Sequence, residues 1–314
     1  MRKKIYKTLK LMRPKQWIKN FAIFAAIIFS GQLFDPTLFS KVVLGFIAFS
    51  ATSSAIYIVN DIFDVEKDKI HPFKRFRPLA HGDLSIHSAI LLSILLFATS
   101  LFIAKSINSG FVVLLVVYFL LQFSYSLFFK HLTVADILLL ATGYMLRVYG
   151  GEIATGYHIS VWLILTTVAL SLFLAVGKRK SELTLISQMP GTQIEAIRKT
   201  LSHYSESLLN VYASIFATSA FVFYSLFTFL ENPHGIKIGL GILMPDFLPA
   251  YFQRKWLMIT IIPVVYGLMR YLQDIYEKHE GESPEKVLLS DIPLLSTVVL
   301  WALLTIAIIY FLGG

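Results

Sequence analysis

No cysteine occurs among the 314 residues, which excludes a disulfide framework, a thiolate metal site and a cysteine nucleophile. Charge is scarce as well. Only 15% of residues are charged against 56% hydrophobic, and the apolar residues fall in long blocks rather than alternating with polar ones. Soluble domains of this length rarely carry so little charge, so a soluble enzyme is excluded, as are fibrous and disordered chains. Acids are scarcer than bases, 19 against 28, for a net charge of +9. In a soluble protein that excess would suggest nucleic acid. In a membrane protein it has first to be tested against topology, because orientation in the bilayer is set by Lys and Arg.

A spanning helix needs about 20 mostly apolar residues. The apolar runs predict nine, near 20–34, 41–60, 86–104, 110–129, 132–150, 159–176, 207–230, 256–272 and 292–312. The fold class expected is therefore an all-α, polytopic membrane protein forming a single domain over 1–314. Of the 28 Lys and Arg residues, 22 fall between spans on the side of the N-terminus, 5 on the other side, and Arg147 lies within the fifth span. This bias predicts a cytoplasmic N-terminus and an external C-terminus. It accounts for the net charge without nucleic acid. Residues 1–19 carry eight bases and no acid and read as an interfacial segment rather than a signal peptide, with Trp17 at headgroup level among membrane lipids.

The two largest loops on the N-terminal side, 61–85 and 177–205, follow spans two and six. They emerge with the same polarity, which suggests two four-helix halves in parallel plus a ninth span. The first loop opens with Asn60-Asp61-Ile62-Phe63-Asp64-Val65-Glu66-Lys67-Asp68. If span two stays helical through Asp68, then Asp61, Asp64 and Asp68 fall within about 60° of arc on one face. Three unpaired carboxylates are too costly in hydrocarbon and must share cations at the rim of a wet cavity. Hard oxygen donors without cysteine favour Mg²⁺, which bridges carboxylates to substrate phosphates. Downstream, His71-Pro72-Phe73-Lys74-Arg75-Phe76-Arg77-Pro78 keeps cations close to that cluster, as a diphosphate site needs. A solvated loop whose acids pair with Lys67, Lys69 and Arg75 is the plainer alternative.

Asn-Asp-x-x-Asp-x-x-x-Asp on a nine-helix membrane protein resembles the UbiA-type intramembrane prenyltransferase superfamily, over nearly the whole chain. The resemblance implies a central cavity open to the cytoplasm and laterally to lipid, in which Asn60, Asp61, Asp64 and Asp68 hold Mg²⁺ and a diphosphate. It also implies a bacterial or archaeal cell membrane. The second loop departs from the common pattern. Most prenyl-transferring members carry another aspartate-rich motif there, whereas 177–205 contains no Asp and begins Gly177-Lys178-Arg179-Lys180-Ser181-Glu182. That departure is joined by Arg13-Pro14-Lys15-Gln16-Trp17-Ile18-Lys19-Asn20, His71-Pro72-x-Lys74-x-x-Arg77-Pro78 and Leu146-Arg147-Val148-Tyr149-Gly150-Gly151. Together they are similar to the polyprenyl-phosphate phosphoribosyltransferase branch.

The branch implies phosphoribosyl pyrophosphate as donor and a polyprenyl phosphate as acceptor. Under that reading Asp61, Asp64 and Asp68 hold Mg²⁺ on the donor's diphosphate with Asn60 supporting them. Lys178, Arg179 and Lys180 are candidates for the phosphate on C5, with Glu182 nearby. Lys74, Arg75 and Arg77 close over the diphosphate or bind the lipid phosphate. Lys19, Arg147 and Tyr204 complete the substrate-binding candidates. Asp136 and Arg147 share a face of span five but are separated by roughly 16 Å of helical rise, so a direct salt bridge between them is not expected. Asp274, Glu277, Glu280, Glu282 and Glu285 are irregularly spaced and read as a solvated loop. The alternative function is a superfamily member moving a prenyl group from prenyl diphosphate to an aromatic or polar acceptor. A transporter predicts charges deep in several spans, and a scaffold leaves the carboxylates unexplained.

Overall fold

The structure, a computed structural model, describes residues 2–70, 74–187, 203–231, 256–276 and 284–312. The described residues are helical with no strand. Helix α1 is Arg2–Met12. Next, α2 joins a 3-10 helix, Pro14–Phe24, to an α-helical turn, Ala25–Phe29. The bundle continues with α3 (Pro36–Phe63), α4 (Val65–Ile70), α5 (Ile86–Ile107), α6 (Ser109–Leu127) and α7 (Ala135–Thr155). It closes with α8 (Val161–Ser187), α9 (Glu206–Leu230), α10 (Trp256–Tyr276), α11 (Pro284–Ser290) and α12 (Ile292–Ala307).

Helix starts are set by side chains that accept from otherwise orphaned N–H groups. Asp35 accepts from Thr37 and Leu38, with Pro36 at the first helical position of α3. Ser85, Asn108, Ser205 and Asp291 cap α5, α6, α9 and α12 in the same way. Asn108 ends α5 and starts α6, so the chain reverses direction at a single residue.

Seven helices are long and apolar enough to cross a membrane: α3, α5, α6, α8, α9, α10 and α12. The other two expected spans are α2 and α7, and each is unusual for a physical reason. Helix α7 carries Asp136, Arg147 and Glu152. Helix α2 starts at Pro14, six residues before the apolar run at 20–34, and ends at Phe29, beyond which Gly31 turns the chain with φ +74°. Its 3-10 part rises about 2.0 Å per residue, so Pro14–Phe29 reaches roughly 30 Å, comparable with the hydrocarbon core of a bilayer.

Three apolar cores run through the bundle, and one of them joins Ala26 of α2 to Val148, Leu163, Tyr224 and Leu257 of α7 to α10. A second joins Ile23, Ile27, Phe49, Phe111 and Leu115 of α2, α3 and α6. The third joins Phe173, Leu209, Tyr271, Val287 and Leu294 of α8 to α12. Outward-facing side chains such as Phe102 and Ile262 are more than two-thirds exposed, as lipid-facing positions are. The halves meet where α7 crosses α2. A Cβ at Gly151 would overlap the backbone carbonyl oxygen of Ile23, so this crossing requires glycine.

Helix α1 lies over the 74–84 loop. Leu11 is buried against Ile58, Val65, Leu79 and Ala89. Lys10 donates to the Phe76 carbonyl, and Lys7 sits 2.7 Å from Asp83. The hydrogen bond from Lys7 holds the Asp83 carboxyl below its ordinary value of 3.8. A depressed carboxylate stabilises above its free pKa and loses that contribution as the pH falls through the lowered one. The docking of α1 should therefore loosen only below about pH 3.8. Amide exchange of α1, corrected for intrinsic rates, is the measurement. It should rise there in the wild type and already be raised at pH 7 in Lys7→Ala; an unchanged Lys7→Ala would refute the clamp.

Candidate active site

Helix α3 delivers Tyr57, Asn60 and Asp61 to one end of the bundle and then stops. Asp64 is its C-cap, at φ −96° and ψ 4°, and α4 restarts at Val65. The continuous helix through Asp68 that the sequence suggests is thus interrupted at Asp64, and the three carboxylates do not share one cation. Asp61 and Asp68 converge, and both are buried. One nitrogen of Arg77 lies 3.1 Å from Asp61 Oδ1 and 2.6 Å from Asp68 Oδ2. Asp64 instead takes Lys130, at 3.1 Å. Asn60 accepts from the Ser126 hydroxyl. Among the described residues no three carboxylate or imidazole side chains are grouped to hold a metal.

Arg13 also donates to Asp61 and lies 5.0 Å from the centre of the Tyr57 ring. Its backbone is left-handed, φ 54°. The residue before a proline is pushed out of the right-handed helical region, and at Arg13 the chain turns between α1 and α2. Sequence reading gave Arg13 only an interfacial role. Its position before Pro14 marked the turn but not the carboxylate it would meet.

Two buried carboxylates drawn together need positive charge between them. In this structure the guanidinium nitrogen of Arg77 stands at that point. The donor set of Asp61, Asp68 and the nearby Asn60 consists of hard oxygens suited to a divalent cation that keeps several waters. The residues fit Mg²⁺ on this ground.

On the other half, α8 runs through Ser187 rather than ending near 176, so 177–187 is helix and not loop. The charges can enter a helix because they find partners. Arg179 is fully buried, with Nε 2.6 Å from Asp136 Oδ2, Nη2 donating to the Tyr125 hydroxyl at 2.7 Å, and Nη1 paired with Glu182. Asp136 accepts the Tyr204 hydroxyl at 2.7 Å, and Tyr204 accepts the Val134 N–H. Lys180 turns to Asn210 and lies 3.0 Å from the centre of the Tyr276 ring. Of the three consecutive cations, Lys178 alone lines the central cavity.

The mouth loop reaches across to this half. Burial and Arg77 push the Lys74 ammonium down, opposed by Glu182 on α8 and by Asp68 and Asp64. Arg75 points outward and stacks on Phe76, 4.9 Å from the ring centre. His71 and Pro72 lie outside the described residues.

Between the halves lies a cavity of about 110 Å³. Its walls are Lys19 of α2, Ser53, Tyr57 and Asn60 of α3, Tyr118, Gln122 and Tyr125 of α6, Gly143, Tyr144 and Arg147 of α7, and Leu174 and Lys178 of α8. Arg147 is 5% exposed. It donates to Asn20 at 2.7 Å, to the Tyr118 hydroxyl at 2.6 Å and to the Gly143 carbonyl. Asp136 and Arg147 do not pair with each other, as the helical rise predicts. Lys19 lies 2.9 Å from Glu285 Oε2 and 2.7 Å from Gln16. The reading of 274–285 as solvated fails for its two ends. Asp274 is buried beside Arg270, and Glu285 is buried on α11, where Lys19 compensates it. Glu277, Glu280 and Glu282 lie outside the described residues. Irregular spacing hid both acids, because their partners are more than 250 residues away for Glu285 and on the preceding turn for Asp274.

A helical membrane bundle with paired carboxylates at one end of a central cation-lined cavity defines a class, and the comparisons with known proteins give it a family. Residues 20–296 match the UbiA prenyltransferase family. The chain belongs to that family and is a multi-pass protein embedded in the membrane. It is 32% identical over 308 residues to a decaprenyl-phosphate phosphoribosyltransferase of Corynebacterium glutamicum, covering 97% of this chain and 87% of the relative. It is 34% identical over 307 residues to the protein of the same name from Mycolicibacterium smegmatis, covering 96% and 92%. A UbiA homologue from Archaeoglobus fulgidus, solved bound to GPP and Mg²⁺, superposes with a TM-score of 0.69 at 18% identity, over 96% of this chain and 99% of that one. That likeness establishes the fold.

Proposed function

We propose that this protein transfers 5-phosphoribose from phosphoribosyl pyrophosphate to a polyprenyl phosphate, with Mg²⁺ at Asp61 and Asp68. The observation that carries the reading is the match, over nearly the full length, to relatives named decaprenyl-phosphate phosphoribosyltransferase. The cavity is consistent with it. Lys19, Arg147 and Lys178 line the cavity, Asn60 stands at its edge next to Asp61, and 177–205 carries no Asp-rich motif. The excess of Lys and Arg on one side of the bundle supports an N-terminus and an active site facing the cytoplasm, and an external C-terminus.

In the reaction the bond between C1 of the ribose and the diphosphate oxygen breaks, and the diphosphate leaves with the electron pair. The lipid phosphate oxygen forms the new bond to C1 from the opposite face. Bound Mg²⁺ would supply charge neutralisation of the leaving group. Asp61 and Asp68, with Asn60 and Asp64 beside them, fix where the diphosphate lies. Arg77 and Arg13 are within reach to donate to its oxygens when they leave the carboxylates. A phosphate monoester is already largely ionised near pH 7, its second pKa being about 6, so the acceptor needs no strong base from the chain. Catalysis by this chain is then mostly positioning and electrostatics.

The test is transfer by purified protein in detergent with polyprenyl phosphate, radiolabelled phosphoribosyl pyrophosphate and Mg²⁺, beside Asp68→Ala. Lipid-soluble label that requires Mg²⁺ and disappears in the variant is the expected result. No label, with prenyl diphosphate consumed in the presence of an aromatic acceptor, would assign the protein to prenyl transfer instead.

A further inference from the structure

We propose that Arg147 and Lys178 form a second anion subsite, deeper in the cavity than the carboxylate pair, which takes the phosphate monoester on C5 of the donor's pentose. The proposal rests on the phosphoribosyl reading above and assigns within it which cations meet which phosphate.

Charge balance is the first reason. The cations of the mouth already face acids: Arg13 and Arg77 on Asp61, Arg77 on Asp68, Lys130 on Asp64. Arg179 is neutralised by Asp136 and Glu182, and Lys19 by Glu285. Arg147 and Lys178 line the same cavity and have no acidic partner among the described residues. The three groups that accept from Arg147 are an amide, a phenol and a backbone carbonyl, all uncharged. A buried guanidinium held only by neutral acceptors leaves its charge uncompensated, and burying an unpaired charge is costly. An anionic ligand removes that cost, and two of the five guanidinium N–H groups remain to bind it.

Depth is the second reason. Arg147 bonds Tyr118, whose hydroxyl lies 3.3 Å from Ser53, and Asn20, which bonds Ser50 at 3.0 Å. Ser53 precedes Asp61 by eight residues of one helix, roughly 12 Å along its axis. The two anion-attracting regions are therefore separated along the cavity, as the two phosphorylated ends of one small donor require. Lys178 lines the same cavity from α8.

Size separates the two phosphate monoesters that the reaction involves. A single water needs about 10–15 Å³ of such space, so 110 Å³ holds on the order of eight waters. That suits a phosphorylated pentose and not the isoprene units behind a lipid phosphate.

Ribose 5-phosphate, which has the monoester and lacks the diphosphate, is the probe. Its binding to wild-type protein without Mg²⁺ is expected, and Lys178→Gln or Arg147→Gln should weaken it roughly tenfold or more, the size of a lost charge-assisted hydrogen bond. The KM for phosphoribosyl pyrophosphate should rise in parallel, while the KM for polyprenyl phosphate and the inhibition by Mg²⁺-pyrophosphate stay within about twofold. Lys178 is half-buried, so its variant tests the proposal if Arg147→Gln does not fold. A rise in the polyprenyl phosphate KM alone would place the lipid phosphate at this subsite and overturn the proposal. Ribose 5-phosphate that does not bind, or binds both variants as tightly as wild type, would overturn it too. Binding that depends on Arg147 and Lys178 in a protein that transfers no phosphoribose would support the subsite and sink the function.

Discussion

Replacing Asp61 by asparagine is expected to lower turnover roughly 10²–10³-fold while leaving the bundle folded. The substitution keeps the shape of the side chain and removes its charge. In the resting protein that charge is shared by Arg13 and Arg77. Arg77 keeps Asp68 as a partner, at 2.6 Å, and the Arg13 side chain is a quarter exposed, so neither cation is stranded. The stability cost is accordingly small. The catalytic cost is large under the proposed function, because one of the two carboxylates that converge among the described residues is gone and the remaining one would have to hold the metal diphosphate alone. The measurement is turnover against Mg²⁺ concentration, with thermal unfolding as the control. The half-saturating Mg²⁺ should rise together with the loss of turnover. A variant that turns over like wild type at the same Mg²⁺ would show that the Asp61–Asp68 pair is not the metal site.

The largest stability effect is expected at Arg179. Arg179→Met should cost about 3–5 kcal/mol, because removing one member of a buried ion pair leaves the other uncompensated. Here the stranded group is Asp136, which is completely buried and, among the described residues, otherwise holds only the Tyr204 hydroxyl. Pairing the change with Asp136→Leu should recover most of the loss, since a well-packed apolar replacement of both partners is often close to neutral. The double-mutant cycle read from unfolding in detergent therefore separates the pair from a packing defect. Additive single effects with no recovery in the double variant would show that the two side chains are not coupled. Glu182 also loses Arg179 in Arg179→Met, and it faces Lys74 across the mouth. Activity should fall with stability in the single variant.

Much of the bundle is legible in the chain because bilayer burial makes apolar runs long and uniform. Seven of the nine expected segments are helices of spanning length and composition. What pattern alone could not give were the places where polar groups pair inside the protein. Helix α8 continues beyond Val176 because Asp136, Tyr125 and Glu182 accept the charge of Arg179, and those partners come from three different parts of the sequence. The carboxylate motif was visible from its spacing, but the break at Asp64 was not, since none of Phe63, Asp64 and Val65 is a glycine or proline. Arg13 and Glu285 were read as an anchor and a surface acid. Their roles depend on contacts 48 and more than 250 positions away in sequence, which no local period records.

The packing of α2 carries a consequence for the order in which the protein is made. The Tyr310 hydroxyl donates to the carbonyls of Ile27 and Ile28 and accepts the N–H of Leu33, closing a loop of 283 residues between α2 and the turn that follows α12. The Ile23 carbonyl fits against Gly151 of α7. A ribosome delivers α2 to the bilayer before α7 and long before α12 exist. Segment α2 therefore reaches its final environment only after α7 and α12 have followed it. Nascent chains halted before α12 should leave α2 exchangeable with lipid, and the wall of the cavity that holds Lys19 is finished only once the chain through Tyr310 has been made.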